Sequence, residues 1–354
     1  MRLPIILMLL CQIVYAQYDK DNPHNSHCNW DNTRLNKNYV PTDADTCLYV
    51  VSTRHYHENA SHFVDNEYDS TGSLHYFAVY YHGDQWTAVP KNNLEELLSC
   101  RAISPNMVVY TEGLGRTFTT DLDRGTRMSR IYGVQTLLFD WPTERPDIKP
   151  GQNFRITYTV SNLVSKSYAS CVKQLAAFKA KHADRFSSIS LFLHSMGNLL
   201  MMHGLQQHYF DSIAPGTFNN IILNAACVPE KDHKAWVERI TFSQRVYLTR
   251  NKHDKNLNGA KIVLWQHQLG ERPRKPFAAN AIYVSFSKVL GLEHNYFLMR
   301  PLLKMKPYLK EFYKTLFHGE APVFGKEHFK PESKDNPNII KCLPKQGDFA
   351  IGLG

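Results

Sequence analysis

Residues 189–205 read Ile-Ser-Leu-Phe-Leu-His-Ser-Met-Gly-Asn-Leu-Leu-Met-Met-His-Gly-Leu, and they hold the side chain best placed for covalent chemistry. The apolar run Ile189 to Leu193 has the composition of a buried strand. The apolar positions Leu199, Leu200, Met202 and Leu205 fit a helix that begins directly after it. A serine at such a corner is lifted out of the sheet, and the turn aims the next backbone N–H, that of Met196, at any oxyanion that forms. Gly197 stands where strand and helix approach too closely for a side chain. The chemistry to expect is attack by the Ser195 hydroxyl on an acyl group. That hydroxyl is a weak nucleophile and needs a base, itself oriented by an acid.

Two later segments supply candidates in the order Ser, acid, His. Asp254 closes the polar turn Arg250-Asn251-Lys252-His253-Asp254 after the apolar run 244–249. His294 lies in Gly291-Leu292-Glu293-His294-Asn295, beyond the run 281–286. Glu230, just past the run 220–227, is the alternative acid. His194 abuts Ser195, but its side chain should leave the turn in another direction, so it reads as structural. A second oxyanion donor is expected from Gly113 or Leu114 in Glu112-Gly113-Leu114-Gly115, with His82-Gly83 as the competing loop.

The elements that must position these groups are legible as apolar runs separated by polar turns. Strands are expected at 47–52, 74–81, 107–111, 134–139, 189–193, 220–227, 244–249 and 281–286. Helices are expected at 93–100, 120–132, 160–182, 234–240 and 300–317. Residues 55–72 and 143–157 read as loops. Strands alternating with helices over some 270 residues predict one mostly parallel sheet covered on both faces, and such sheets gather their chemistry at the carboxyl ends of strands. The domain so defined spans 46–318. Residues 17–45 form a polar extension and 319–354 a tail.

Bulk properties narrow the class. The chain has 354 residues, 43% of them hydrophobic, enough to bury a large core. Met1-Arg2, the apolar stretch Leu3 to Val14 and the end Tyr15-Ala16 form a secretory signal peptide, so an exported, periplasmic or secreted protein is expected. Cys11 leaves with that peptide. The other six cysteines, Cys28, Cys47, Cys100, Cys171, Cys227 and Cys342, permit disulfides, and a staple between Cys28 and Cys342 in the two polar ends would be the most useful. A net charge of +9 comes from scattered basic residues without a nucleic-acid motif, which reads as a solvated basic surface. No stretch is long and apolar enough for a transmembrane helix. No ligand set for a metal and no motif for an organic cofactor is present.

Several of these segments together resemble a bacterial alpha/beta-hydrolase family of unknown function. The similar residues are Trp141-Pro142-Thr143, His194-Ser195-Met196-Gly197-Asn198, Asp254-Lys255-Asn256-Leu257, Gln268-Leu269-Gly270 and His294-Asn295-Tyr296-Phe297. The likeness runs in order through residues 47–300. It departs from the family pattern at Glu112, where the family has His, and at Leu193, where a small residue is usual. The resemblance implies an α/β-hydrolase fold and a Ser195-His294-Asp254 triad. The expected function is an exported serine hydrolase acting on a small ester or acyl substrate. A non-catalytic binding protein on the same fold, or a peptidase or acyltransferase with the same triad, is the alternative. Substrate and oligomeric state stay open.

Overall fold

The computed structural model describes residues 28–298, 305–325, 327–333 and 336–344. The expected signal peptide, with Cys11, lies outside them. In chain order the elements are β1 (Thr33–Leu35), β2 (Thr46–Ser52), β3 (Arg54–Tyr56), β4 (Val64–Tyr68), β5 (His75–His82), β6 (Gln85–Lys91), α1 (Leu94–Ser99), β7 (Asn106–Thr111), α2 (Phe118–Tyr132), β8 (Gln135–Asp140) and α3 (Pro150–Lys181). They continue with β9 (Ser188–His194), α4 (Asn198–Gln206), β10 (Phe218–Asn224), α5 (His233–Val237), β11 (Ser243–Arg250), α6 (Lys255–Leu264), β12 (Ala281–Ser285), α7 (Pro307–Phe317), β13 (Phe329–Ser333) and β14 (Asn336–Cys342).

Among the described residues, twelve strands make one sheet in the order β1-β6-β5-β2-β8-β7-β9-β10-β11-β12-β14-β13. From β2 through β8 to β14 the neighbours run parallel, and antiparallel pairs flank that centre. This is the α/β-hydrolase architecture the sequence leads one to expect. β9 lies in the middle and is buried at all seven positions, as a strand covered on both faces must be. The helices follow local rules. α7 buries Leu309, Phe312, Tyr313, Leu316 and Phe317, the spacing of one apolar face. α2 ends where Gly133 takes a left-handed φ of 65° and its N–H returns to the Ser129 carbonyl.

Several expectations give way. β12 is not the last strand, because β14 pairs parallel beside it, with Tyr283 opposite Ile339 and Val284 opposite Ile340. Phe329–Ser333 and Asn336–Cys342, within the expected tail, therefore contribute sheet. The Lys- and Pro-bearing β14 offers only Ile339 and Ile340 as an apolar signal. The supposed loop 55–72 contains the β3–β4 ladder. α3 starts ten residues before 160, with a proline in its first turn, where the missing N–H costs nothing. His82-Gly83 belongs to the tight β5–β6 hairpin, with positive φ at Gly83 and Asp84, so it does not compete for the oxyanion role. Among the described residues no disulfide joins any of the six cysteines. Cys28 contacts the Thr33 hydroxyl at the β1 edge of the sheet, whereas Cys342 ends β14 near the opposite edge. A staple between them is out of reach. Among the described residues no helix is long and apolar enough to cross a membrane.

Candidate active site

The carboxyl ends of β7, β9, β10, β11 and β12 meet along one edge of the sheet. Ser195 follows β9 directly and has φ +53°, a left-handed conformation that a non-glycine residue adopts at a cost. Its surroundings hold it there. The Asn198 side-chain amide donates to the carbonyls of Leu193, Ser195 and Asn224, at 3.1, 2.9 and 3.3 Å, and the Cys227 N–H donates to the Ser195 carbonyl at 3.1 Å. Leu193 fits without distortion: it is fully buried, in register with Thr111 on one side and Leu223 on the other. Glycines on either side of the elbow provide the closeness. A Cβ on Gly197 would stand 2.7 Å from the carbonyl oxygens of Thr111 and Glu112. One on Gly113 would stand 2.7 Å from Ser195 Cβ and 2.8 Å from Met196 N.

The loop after β7 is thus pressed against the Ser195–Met196 peptide. It is bolted in place by the segment after β8: Trp141 Nε1 donates to the Glu112 carbonyl at 2.8 Å, the Gly115 N–H donates to the Thr143 carbonyl, and the Arg116 N–H to the Thr143 hydroxyl. The Gly113 N–H is engaged, donating to the Glu112 carboxylate at 2.9 Å. Of the two expected donors, Gly113 is thus the close-packing residue and its N–H is already taken, while Leu114 follows it in the same loop.

Asp254 and His294 come together from loops forty residues apart, with Nδ1 to Oδ2 at 2.7 Å. Asp254 is fully buried and caps α6, its Oδ1 accepting the N–H groups of Asn256 and Leu257. Its Oδ2 also accepts the Tyr296 hydroxyl at 2.7 Å. Sequence reasoning quoted Tyr296 within a motif but assigned it no part in orienting the acid; only the fold shows which group its hydroxyl meets. Burial by itself would lower the His294 pKa, but the Asp254 charge and hydrogen bond outweigh it and hold the imidazole above its ordinary value. The carboxylate that pairs with His294 is that of Asp254; of the alternative acid Glu230, the N–H bonds the His267 carbonyl and the backbone carbonyl contacts His233 Nδ1. Gly270 closes the arrangement. A Cβ there would stand 2.3 Å from Ala226 N, while the Gly270 carbonyl accepts the Asn251 N–H and Asn251 Nδ2 donates to the carbonyls of Gly291 and Glu293.

His194, read as structural, is held by core hydrogen bonds. Asn224 Oδ1 accepts hydroxyls from Thr249 and Tyr313, so its amide donates to His194 Nδ1 at 2.9 Å. That assigns the His194 proton to Nε2, which faces Glu112 Oε1 at 3.6 Å. Burial drives the His194 pKa well below the ordinary value and keeps the ring neutral. The ring lies 4.7 Å from that of His294, centroid to centroid. His294 is thereby placed against the residue that precedes Ser195. Among the described residues the Ser195 hydroxyl holds no side-chain hydrogen bond, a common state of such sites before substrate tightens them. Among the described residues no three His, Cys, Asp or Glu side chains are grouped to hold a metal.

No curated protein matches the chain. Among solved structures it is similar to an arylesterase, at 8% identity over 70% of this chain and 80% of the other, with a TM-score of 0.31. It is also similar to the Pyrococcus furiosus esterase Pf2001, at 9% identity over 69% and 86%, with a TM-score of 0.29. Similarity at that level says nothing about chemistry. Residues 89–305 match the family described as alpha/beta hydrolase of unknown function (DUF900), and the chain belongs to that family.

Proposed function

We propose that the chain is a serine hydrolase of carboxylic esters. Ser195 Oγ attacks the ester carbonyl while His294 Nε2 takes its proton. The tetrahedral oxyanion is received by the N–H groups of Met196 and Leu114. Collapse expels the alcohol, to which His294 returns the proton, and leaves an acyl group on Ser195. Water, deprotonated by the same imidazole, then releases the acid and regenerates the hydroxyl. Asp254 holds His294 with Nδ1 protonated and stabilises the imidazolium. The observation that carries this reading is the buried Asp254–His294 pair at 2.7 Å, with the His294 ring 4.7 Å from that of His194, the residue before a serine held at φ +53°.

The test is hydrolysis of p-nitrophenyl esters of short and long acids, with Ser195→Ala and His294→Ala as controls, together with fluorophosphonate labelling mapped to Ser195. Turnover and labelling that both vanish in Ser195→Ala support the reading. Equal rates for the parent and Ser195→Ala would replace it with a binding role on a hydrolase scaffold.

A further inference from the structure

The loop that carries Leu114, the proposed second oxyanion donor, and the loop that carries His294 emerge after β7 and after β12, with β9, β10 and β11 between them. A buried ionic chain nevertheless joins them. Glu112, at the head of the first loop, pairs with Arg124 of α2, Nε to Oε2 at 2.5 Å. Arg124 Nη2 donates to Asn295 Oδ1, in the residue next to His294, at 3.0 Å. Arg124 Nε also reaches the Tyr110 hydroxyl, which itself donates to the Glu112 carboxylate. The guanidinium carbon stands 5.4 Å from the Phe297 ring centroid. The remaining Glu112 oxygen takes the Gly113 N–H and faces His194. Glu112, Arg124 and Asn295 are all more than nine-tenths buried.

Stability is a poor account of this chain. A buried ion pair gains little over apolar groups of the same shape, because desolvation of both charges offsets their attraction. What the pair does supply is geometry. A guanidinium is a rigid planar fork that can hold two acceptors at fixed separation, and here one acceptor belongs to each loop. Burial would raise the Glu112 pKa, but the charges of Arg124 and Arg116 hold it far below the usual carboxylate range, so the fork stays ionically paired. We infer that Glu112 and Arg124 are positioning residues: their pair fixes the spacing between the Leu114 donor and His294, and so aligns both on Ser195. The inference rests on the hydrolase reading above. It also gives Glu112 a physical meaning: the carboxylate is one half of a clasp whose other half is Arg124.

The test uses the double variant Glu112→Gln/Arg124→Met, which removes both charges without stranding either, and the pair Asn295→Ala and Asn295→Asp. Parent and variants are compared for kcat and KM on a p-nitrophenyl ester, for the rate of fluorophosphonate labelling at Ser195, and for thermal midpoint. The expected result for the double variant is a fall in kcat of about 10- to 100-fold with KM within about twofold, and labelling slowed in parallel. Asn295→Ala, which removes only the far end of the clasp, shows a smaller loss of the same kind. Asn295→Asp, which restores an acceptor for Arg124, recovers much of it at its own pH optimum. Should the double variant not fold, the Asn295 pair decides alone. If the parent is labelled at Ser195 and the variants label and turn over as fast, the hydrolase reading stands and the positioning role falls. If the parent itself is not labelled, the hydrolase reading fails and takes this role with it.

Discussion

Adding one methyl group at Gly113 tests how the oxyanion loop meets the nucleophile. In Gly113→Ala the new carbon would stand 2.7 Å from Ser195 Cβ and 2.8 Å from Met196 N. Carbon atoms in contact sit about 3.5–4.0 Å apart, so loop and elbow must part by about 1 Å. Neither side yields easily. The elbow carbonyls are tied by Asn198 and Cys227, and the loop is tied by Trp141 and by the Glu112–Arg124 pair. Overpacking of this kind costs about 1–3 kcal/mol of stability, a drop of a few degrees in thermal midpoint. The loss of activity is expected to be larger. A displacement of about 1 Å in catalytic groups costs about 100-fold, and one misplaced oxyanion donor costs about 2.7–4 kcal/mol, which is also 100-fold or more. The measurement is kcat on a short p-nitrophenyl ester beside a thermal melt, with Ser195→Ala as the floor. If Gly113→Ala keeps kcat within about threefold of the parent, the loop does not contact the elbow during turnover, and the Leu114 assignment is wrong.

Two further outcomes are expected. Tyr296→Phe deletes one of the hydrogen bonds to the Asp254 carboxylate while keeping the ring that packs there; a bond to a charged group is worth about 1.5–3 kcal/mol. The variant should lose about tenfold or more in kcat/KM and remain far more active than Asp254→Asn, for which a loss of about 10⁴-fold is expected; equal losses in the two would mean that Tyr296 is not a subsidiary support. The pH profile follows from the raised His294 pKa. A base held above the ordinary value of 6.5 stays protonated to higher pH, so kcat/KM should fall on the acid side with its half-point above 6.5. The charged and titratable groups facing this imidazole are Asp254, Glu293, Tyr296, His194 and Glu112 with its partners Arg116 and Arg124. A half-point below 6.5 would show that burial outweighs Asp254 in the working enzyme.

What the chain carries locally could be read from it directly. The elbow at 189–205, the apolar face of α7, the serine–acid–histidine order and the alternation of strand with helix all rest on signals a few residues long: apolar runs, period, and the glycines and polar turns that stop them. What depended on neighbours in space could not. Gly113 rather than Gly83 faces Ser195 because β7 adjoins β9, while Gly83 turns a hairpin among outer strands. Glu112 reads as a misfit until α2 brings Arg124 to it, and Arg124 reaches Asn295 from 171 positions away. The thiols of Cys28 and Cys342 stay apart because Cys28 sits against β1 at one edge of a wide sheet and Cys342 ends β14 near the other. β14 shows almost no apolar pattern and becomes a strand by pairing with β12. Hydrogen bonds, ion pairs and strand pairings are made by whichever groups the packing brings within about 3 Å, and that choice leaves no mark on local sequence.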